Sequence, residues 1–170
     1  DRAPLLGPED VAAAAAVLDG VAVRTPLTDL ADGFAVKRED LQPVRSYKLR
    51  GAFNFIAGLS DEERAKGVVA ASAGNHAQGV AFAARELDIP ATIFMPKGVP
   101  IPKFEATTGY GAEIRLEGDN VAEALAGAQR FAEETGAVFI HPYDHPDVIA
   151  GQGTIGLEIV EDMPDVDTVM

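Results

Sequence analysis

Residues 67–95 read GVVAASAGNHAQGVAFAARELDIPATIFM. Gly67 to Ala71 is a short apolar run with β-branched residues and reads as a strand. Asn75 to Leu87 reads as a helix. Ala91 to Met95 is a second strand, ended by Pro96. The connections are short. Strand–helix–strand alternation of this kind builds a parallel sheet with helices on its faces.

The alternation continues in both directions. Pro102 to Tyr110 reads as a helix ending in glycines, and Ala112 to Leu116 as a strand. Asn120 to Thr135 is a helix closed by Gly136, and Ala137 to Ile140 a strand. A proline-rich stretch, His141 to Pro146, precedes a helix over about Val148 to Glu161. Asp167 to Met170 reads as the start of another strand. Toward the N-terminus, Pro8-Glu9-Asp10 opens a helix that runs to about Leu18. Thr25-Pro26-Leu27 is an extended crossing, and Ala35 to Arg38 a short strand. A polar loop, Glu39 to Arg45, leads into a helix from about Lys48 to Leu59, and Asp61 to Ala65 adds one helical turn. The fold class is α/β.

A chain of 170 residues with 47% hydrophobic and 24% charged residues has globular composition and enough length for a real core. No apolar run reaches the roughly 18 residues of a membrane span. The net charge of −13 argues against nucleic acid as a partner. With no cysteine, disulfide and thiolate chemistry are excluded, and a cytoplasmic protein is the simplest expectation. The three histidines, His76, His141 and His145, are too scattered for a metal site, and none is expected. The chain opens at Asp1, not methionine, which suggests trimming.

Three stretches carry chemistry. Lys48 lies at the expected start of a helix, with Ser46 a plausible N-cap. Helix field and partial burial there favour a neutral amine, the form that Schiff-base chemistry requires. Ser72-Ala73-Gly74-Asn75-His76-Ala77-Gln78-Gly79 follows a strand and opens a helix. Small residues and free N–H groups make it an anion site for a carboxylate or phosphate, or else a tight turn. It lacks the G-x-G-x-x-G dinucleotide pattern. His76 reads as structural more readily than catalytic, and Ser72 as a ligand-contacting hydroxyl. In Ile149 to Gly156, Gly151, Gly153 and Gly156 each weaken a helix by about 1 kcal/mol relative to alanine. Close packing is the favoured compensation, and a nearby ligand is the alternative. Glu39-Asp40 is expected to pair with Arg38, Arg45 or Arg50.

Four blocks, KREDLQPVRSYKLRGAFN (37–54), ASAGNHAQGVA (71–81), MPKGVPIPKFEATTGYGAEI (95–114) and HPYDHPDVIAGQGTIGLEI (141–159), together resemble the threonine and serine dehydratases. These are fold type II, tryptophan-synthase-β-like, pyridoxal 5'-phosphate enzymes. The R-S-Y-K-L-R-G-A block is the most specific.

The resemblance implies a small parallel α/β domain, 59–143, inserted in a larger, incomplete one formed by 1–58 and 144–170. It implies Lys48 as the Schiff-base lysine, Tyr47 flanking the cofactor ring and Asn75 on its phenolic oxygen. Ser72 and the backbone of Ala73, Gly74, Asn75 and His76 would hold the carboxylate of a small amino-acid substrate. Freed by substrate, Lys48 would take the Cα proton, and the β-hydroxyl would leave, protonated by the cofactor phosphate. Alanine at 73, where serine racemases carry serine, favours elimination over racemisation. REDLQPVRSYKLRGA leans toward the biosynthetic threonine dehydratases. The family's glycine-rich phosphate loop and the partner of the ring nitrogen would follow a strand like 167–170. The 170 residues alone are therefore expected to bind cofactor weakly and turn over poorly. A homo-oligomer or a complementing C-terminal part is the expected partner. A reaction elsewhere in the family, or a non-catalytic interaction module, is the competing expectation.

Overall fold

The computed structural model describes residues 6–170; the opening Asp1 and the first five residues of the 1–58 segment lie outside them. A four-stranded parallel sheet occupies the middle of the chain. Its strands are β3 (Val68–Ala71), β4 (Ala91–Met95), β5 (Glu113–Leu116) and β6 (Val138–Phe139). Their order is β5-β4-β3-β6, and every neighbouring pair is parallel. The helices between them are α4 (Asn75–Glu86), α5 (Ile101–Thr108) and α6 (Val121–Thr135). The central strand β3 is buried along its whole length, as its unbroken apolar run requires.

Three longer helices lie outside the sheet segment: α1 (Pro8–Val17), α2 (Lys48–Ala57) and α7 (Pro146–Asp162). α2 packs against both α4 and α7, and α1 packs against α7. One apolar core runs through this arrangement. It joins Phe53 and Ile56 of α2 and Val148 of α7 to Val68, Ala70, Val80 and Ile93 around the sheet. Smaller helical turns lie at Glu39–Leu41 and at α3 (Asp61–Lys66). Ser60 and Glu63 close a reciprocal cap at the start of α3.

Glycine decides how closely α2 approaches its neighbours. A Cβ on Gly151 would lie 2.6 Å from the Arg50 carbonyl oxygen and 2.7 Å from Gly51 Cα. One on Gly79 would lie 3.0 Å from the carbonyl carbon and oxygen of Lys48. Backbone meets backbone at both places. Packing is thus the compensation for Gly151, and Gly153 makes room for the Val11 side chain of α1.

The structure corrects the sequence reading at three points. An antiparallel hairpin of β1 (Leu27–Ala31) and β2 (Phe34–Lys37) replaces the single strand expected at 35–38. Asp32-Gly33 turns it, with Gly33 at φ 78°, a conformation glycine adopts without steric cost. Residues 167–170 form no strand and pair with none of the described strands. Ser46 is not an N-cap: Tyr47 occupies that position, and the buried Ser46 Oγ has no hydrogen-bond partner among the described residues. The left-handed backbone at Arg45 (φ 56°) immediately precedes this inward-facing serine.

Gly151→Ala is expected to lower stability by about 1–3 kcal/mol through overpacking against α2. Gly156→Ala, where a Cβ meets open space, is expected to be neutral or mildly stabilising. Urea unfolding of the two variants beside the parent checks both signs.

Candidate active site

Lys48 is the first residue of α2 and is half-buried. Its Nζ donates to the Pro142 carbonyl at 2.8 Å and stands 5.2 Å from the centroid of the Tyr47 ring. Lys48 forms no salt bridge among the described residues. Tyr47 is exposed beside it.

The close approach at Gly79 sets the start of α2 against the first turns of α4. That first turn contains no acidic residue, and its leading N–H groups have no intrahelical acceptor. Gly74 is the N-cap and caps with no side chain, and a Cβ there would meet nothing within 4 Å. Ser72 is half-buried, and its Oγ accepts from the Gly74 N–H at 3.1 Å. Ala73 is half-buried as well, while Asn75 is exposed. The turn therefore presents small residues, a hydroxyl, an amide and unpaired N–H donors on an open face. A carboxylate or phosphate fits such a set.

His76 plays a different part. It is 5% exposed, and its Nε2 donates to the Ile140 carbonyl at 2.9 Å. That contact fixes the tautomer, since a carbonyl only accepts. Burial pushes its pKa down from the usual 6.5 to about 4; the carbonyl contact opposes this, and the charges of Lys48 and His141 add to it. His76 is a neutral structural histidine, and only its backbone belongs to the turn that opens α4.

Segment 140–147 runs between β6 and α7 and is held at many points. Ile140 N–H donates to Val69 and Ile140 O accepts from His76. His141 Nδ1 accepts from the N–H groups of Asp144 at 2.7 Å and Tyr143 at 3.3 Å. The His145 ring stacks on Phe55 of α2 at 3.8 Å and caps α7 by accepting from Asp147 N–H. Asn54 of α2 donates to Asp147 O.

Two residues after Lys48, Arg50 is buried with 1% of its side chain exposed. It donates to both carboxylate oxygens of Glu39 at 2.8 and 2.9 Å and to both of Glu158 at 2.6 and 3.1 Å. Thr154 Oγ1 and the Val23 carbonyl complete its set. Lys37 pairs with Glu158 at 2.6 Å. Burial works against the Arg50 charge, but the two carboxylates outweigh it and raise the pKa further. Of the expected pairings for Glu39-Asp40, Glu39 takes Arg50 and Asp40 takes Arg38. Lys37, Glu158, Thr154 and the Pro142 carbonyl were not singled out in the sequence. Only Gly151 pointed toward the α2–α7 seam that joins most of them.

The residues present fit an aldehyde cofactor: the Lys48 amine rests on a neutral carbonyl, and the neighbouring α4 starts without an acidic residue. Residues 18–170 match the family model of pyridoxal-phosphate-dependent enzymes. The chain belongs to that family. It is 53% identical over 169 residues to an L-threonine ammonia-lyase of Thermotoga maritima, an alignment covering 95% of this chain and 42% of that protein. A processed threonine deaminase isoform 2 from Solanum lycopersicum superposes with a TM-score of 0.88 at 42% identity, over 93% of this chain and 46% of that one. Maize serine racemase superposes with a TM-score of 0.89 at 37% identity, over 94% and 50%. The chain thus spans about half or less of the length of these relatives. Its α/β architecture is that of the fold type II members of the family.

The His76 shift has a pH consequence. Folded His76 stays neutral until about pH 4, whereas the unfolded side chain takes a proton near 6.5. Its contribution is complete above about 6.5 and is lost as pH falls from there toward 4. Stability is expected to drop by up to about 3 kcal/mol across that window. Urea midpoints measured against pH check this, and His76→Gln is expected to flatten the slope between pH 6.5 and 4.5.

Proposed function

We propose that these residues carry the lysine and carboxylate ends of a β-elimination that converts L-threonine to 2-oxobutanoate and ammonia, and L-serine to pyruvate. The carrying observation is the uncharged-partner environment of Lys48 Nζ beside the acid-free start of α4. When bound, pyridoxal phosphate supplies an aldehyde for Lys48 and a ring that withdraws electrons from the substrate Cα. The N–H groups of residues 73–76 and the Ser72 hydroxyl hold the substrate carboxylate. Tyr47 flanks the ring, and the Asn75 amide meets its phenolic oxygen. Lys48, freed as an amine, accepts the Cα proton. Loss of the β-hydroxyl as water leaves an enamine, which hydrolyses to the oxo acid and ammonia.

Serine racemisation is the second reading, supported by the likeness to the maize enzyme. Ala73 disfavours it, because a methyl group has no proton to give to the opposite face. The biosynthetic branch of threonine dehydratases, which feeds isoleucine formation, remains our assignment from the R-E-D-L-Q-P-V-R-S-Y-K-L-R-G-A stretch. We assign 59–143 to a small substrate-binding domain and 1–58 with 144–170 to a larger cofactor-binding one; confinement of the parallel sheet to 68–139 supports this. We take the protein to be cytoplasmic, in keeping with the absence of cysteine. Exposed Leu30 and Phe34 on the hairpin support association with a second copy or with a complementing C-terminal part.

A chimera tests the reading. This chain replaces the matching region of the Thermotoga maritima L-threonine ammonia-lyase, and 2-oxobutanoate release from L-threonine is followed. Activity is expected, with a loss of about 10²–10⁴-fold in kcat on Lys48→Ala. Undiminished turnover in the Lys48→Ala chimera, or D-serine as the main product from L-serine, refutes the proposal.

A further inference from the structure

Pro142 offers Lys48 more than a passing contact. Its carbonyl is the one hydrogen-bond acceptor on Lys48 Nζ among the described residues. A proline carbonyl is placed by the backbone on either side of it, so what fixes that backbone fixes the seat of the amine. On one side, Ile140 is pinned through both its N–H and its carbonyl. On the other, the imidazole of His141 gathers the N–H groups of Tyr143 and Asp144 on its Nδ1. The backbone therefore loops around Pro142 with its carbonyl turned toward α2. The His141 ring is itself packed edge-on between Phe139 and Tyr143. Nothing in the elimination proposed above uses His141, yet it has this defined task.

We propose that His141 is a positioning residue, whose Nδ1 closes the 141–144 turn and so holds the Pro142 carbonyl as the seat of the Lys48 amine. The proposal rests on the reading of Lys48 as the cofactor lysine and adds a residue to that reading. A carbonyl suits the task because it accepts a hydrogen bond without taking the proton away. An amine released during turnover then returns to one place instead of sampling solvent. A carboxylate in the same position would hold the lysine as a tight ion pair and compete with its chemistry.

Reductive methylation with formaldehyde and cyanoborohydride, quantified lysine by lysine by peptide mass spectrometry, tests this on the unmodified chain without any cofactor. His141→Phe keeps the aromatic packing and removes the acceptor. It is expected to raise the Lys48 rate about tenfold, the factor one charge-assisted hydrogen bond is worth. Exposed Lys97 and buried, Glu158-paired Lys37 serve as controls and are expected to keep their rates. His141→Asn restores an acceptor at the same reach, since asparagine makes the same turn to the N–H groups two and three residues on. Its Lys48 rate is expected to stay within about twofold of the parent. A Lys48 rate unchanged in His141→Phe overturns the proposal, and so does a rise shared by Lys37. Should His141→Phe not fold, His141→Asn decides: a rise in its Lys48 rate overturns the proposal. Formaldehyde needs no cofactor site, so this outcome and that of the chimera can fail separately.

Discussion

A guanidinium that cannot shed its charge lies almost wholly out of water at Arg50, and the rest of the arrangement follows from satisfying it. Glu39 comes from the segment before α2, and Glu158 from α7, 108 residues beyond Arg50. Both must reach the same side of α2 in the same register. Burying such a group costs several kcal/mol unless its geometry is complete, and removing one partner leaves an uncompensated charge. The ion pairs therefore act less as a source of stability than as a selector of one alignment of α2 against α7. Gly151 permits that alignment by letting the two backbones touch.

Fixing α2 fixes Lys48, because the lysine stands only two residues before the arginine in the same helix. Gly79 then sets the other side of the cleft by admitting the start of α4 against the Lys48 carbonyl. Segment 140–147 closes the third side, anchored on α2 at Lys48, Asn54 and Phe55. A chain of net charge −13 thus has, at α4, a helix start free of acidic residues that packs close to the Lys48 backbone. Local donors, not total charge, decide what such a cleft attracts.

Much of this was legible beforehand. The parallel sheet followed from the alternation over 67–140, since four strand-like runs separated by helices admit few other arrangements. Lys48 and the Ser72 to His76 turn were visible as a helix start each, and the resemblance of four blocks joined them. Gly151 was correctly read as packing, because a helix tolerates such a residue only where something gains from the missing side chain. The hairpin was missed: Asp32-Gly33 signals a turn, but β1 alternates too weakly and is too exposed to look like a strand. The strand at 167–170 was expected from composition, yet a strand exists only through its neighbour. Ser46 looked like a cap by type, whereas its inward direction depends on a left-handed residue before it. The network around Arg50 and the seat at Pro142 were not legible, because each depends on contacts across about a hundred residues and, at Pro142, on a main-chain oxygen common to every residue type.

Lys48 as the amine that meets the cofactor aldehyde is the claim on which everything else converges. Borohydride trapping of the chain with pyridoxal phosphate, followed by peptide mapping of its five lysines, tests that most directly. The account predicts that the reduced pyridoxyl group is found on Lys48, although Lys66, Lys97 and Lys103 are more exposed. Label distributed over those three surface lysines, with Lys48 unmodified, would contradict it.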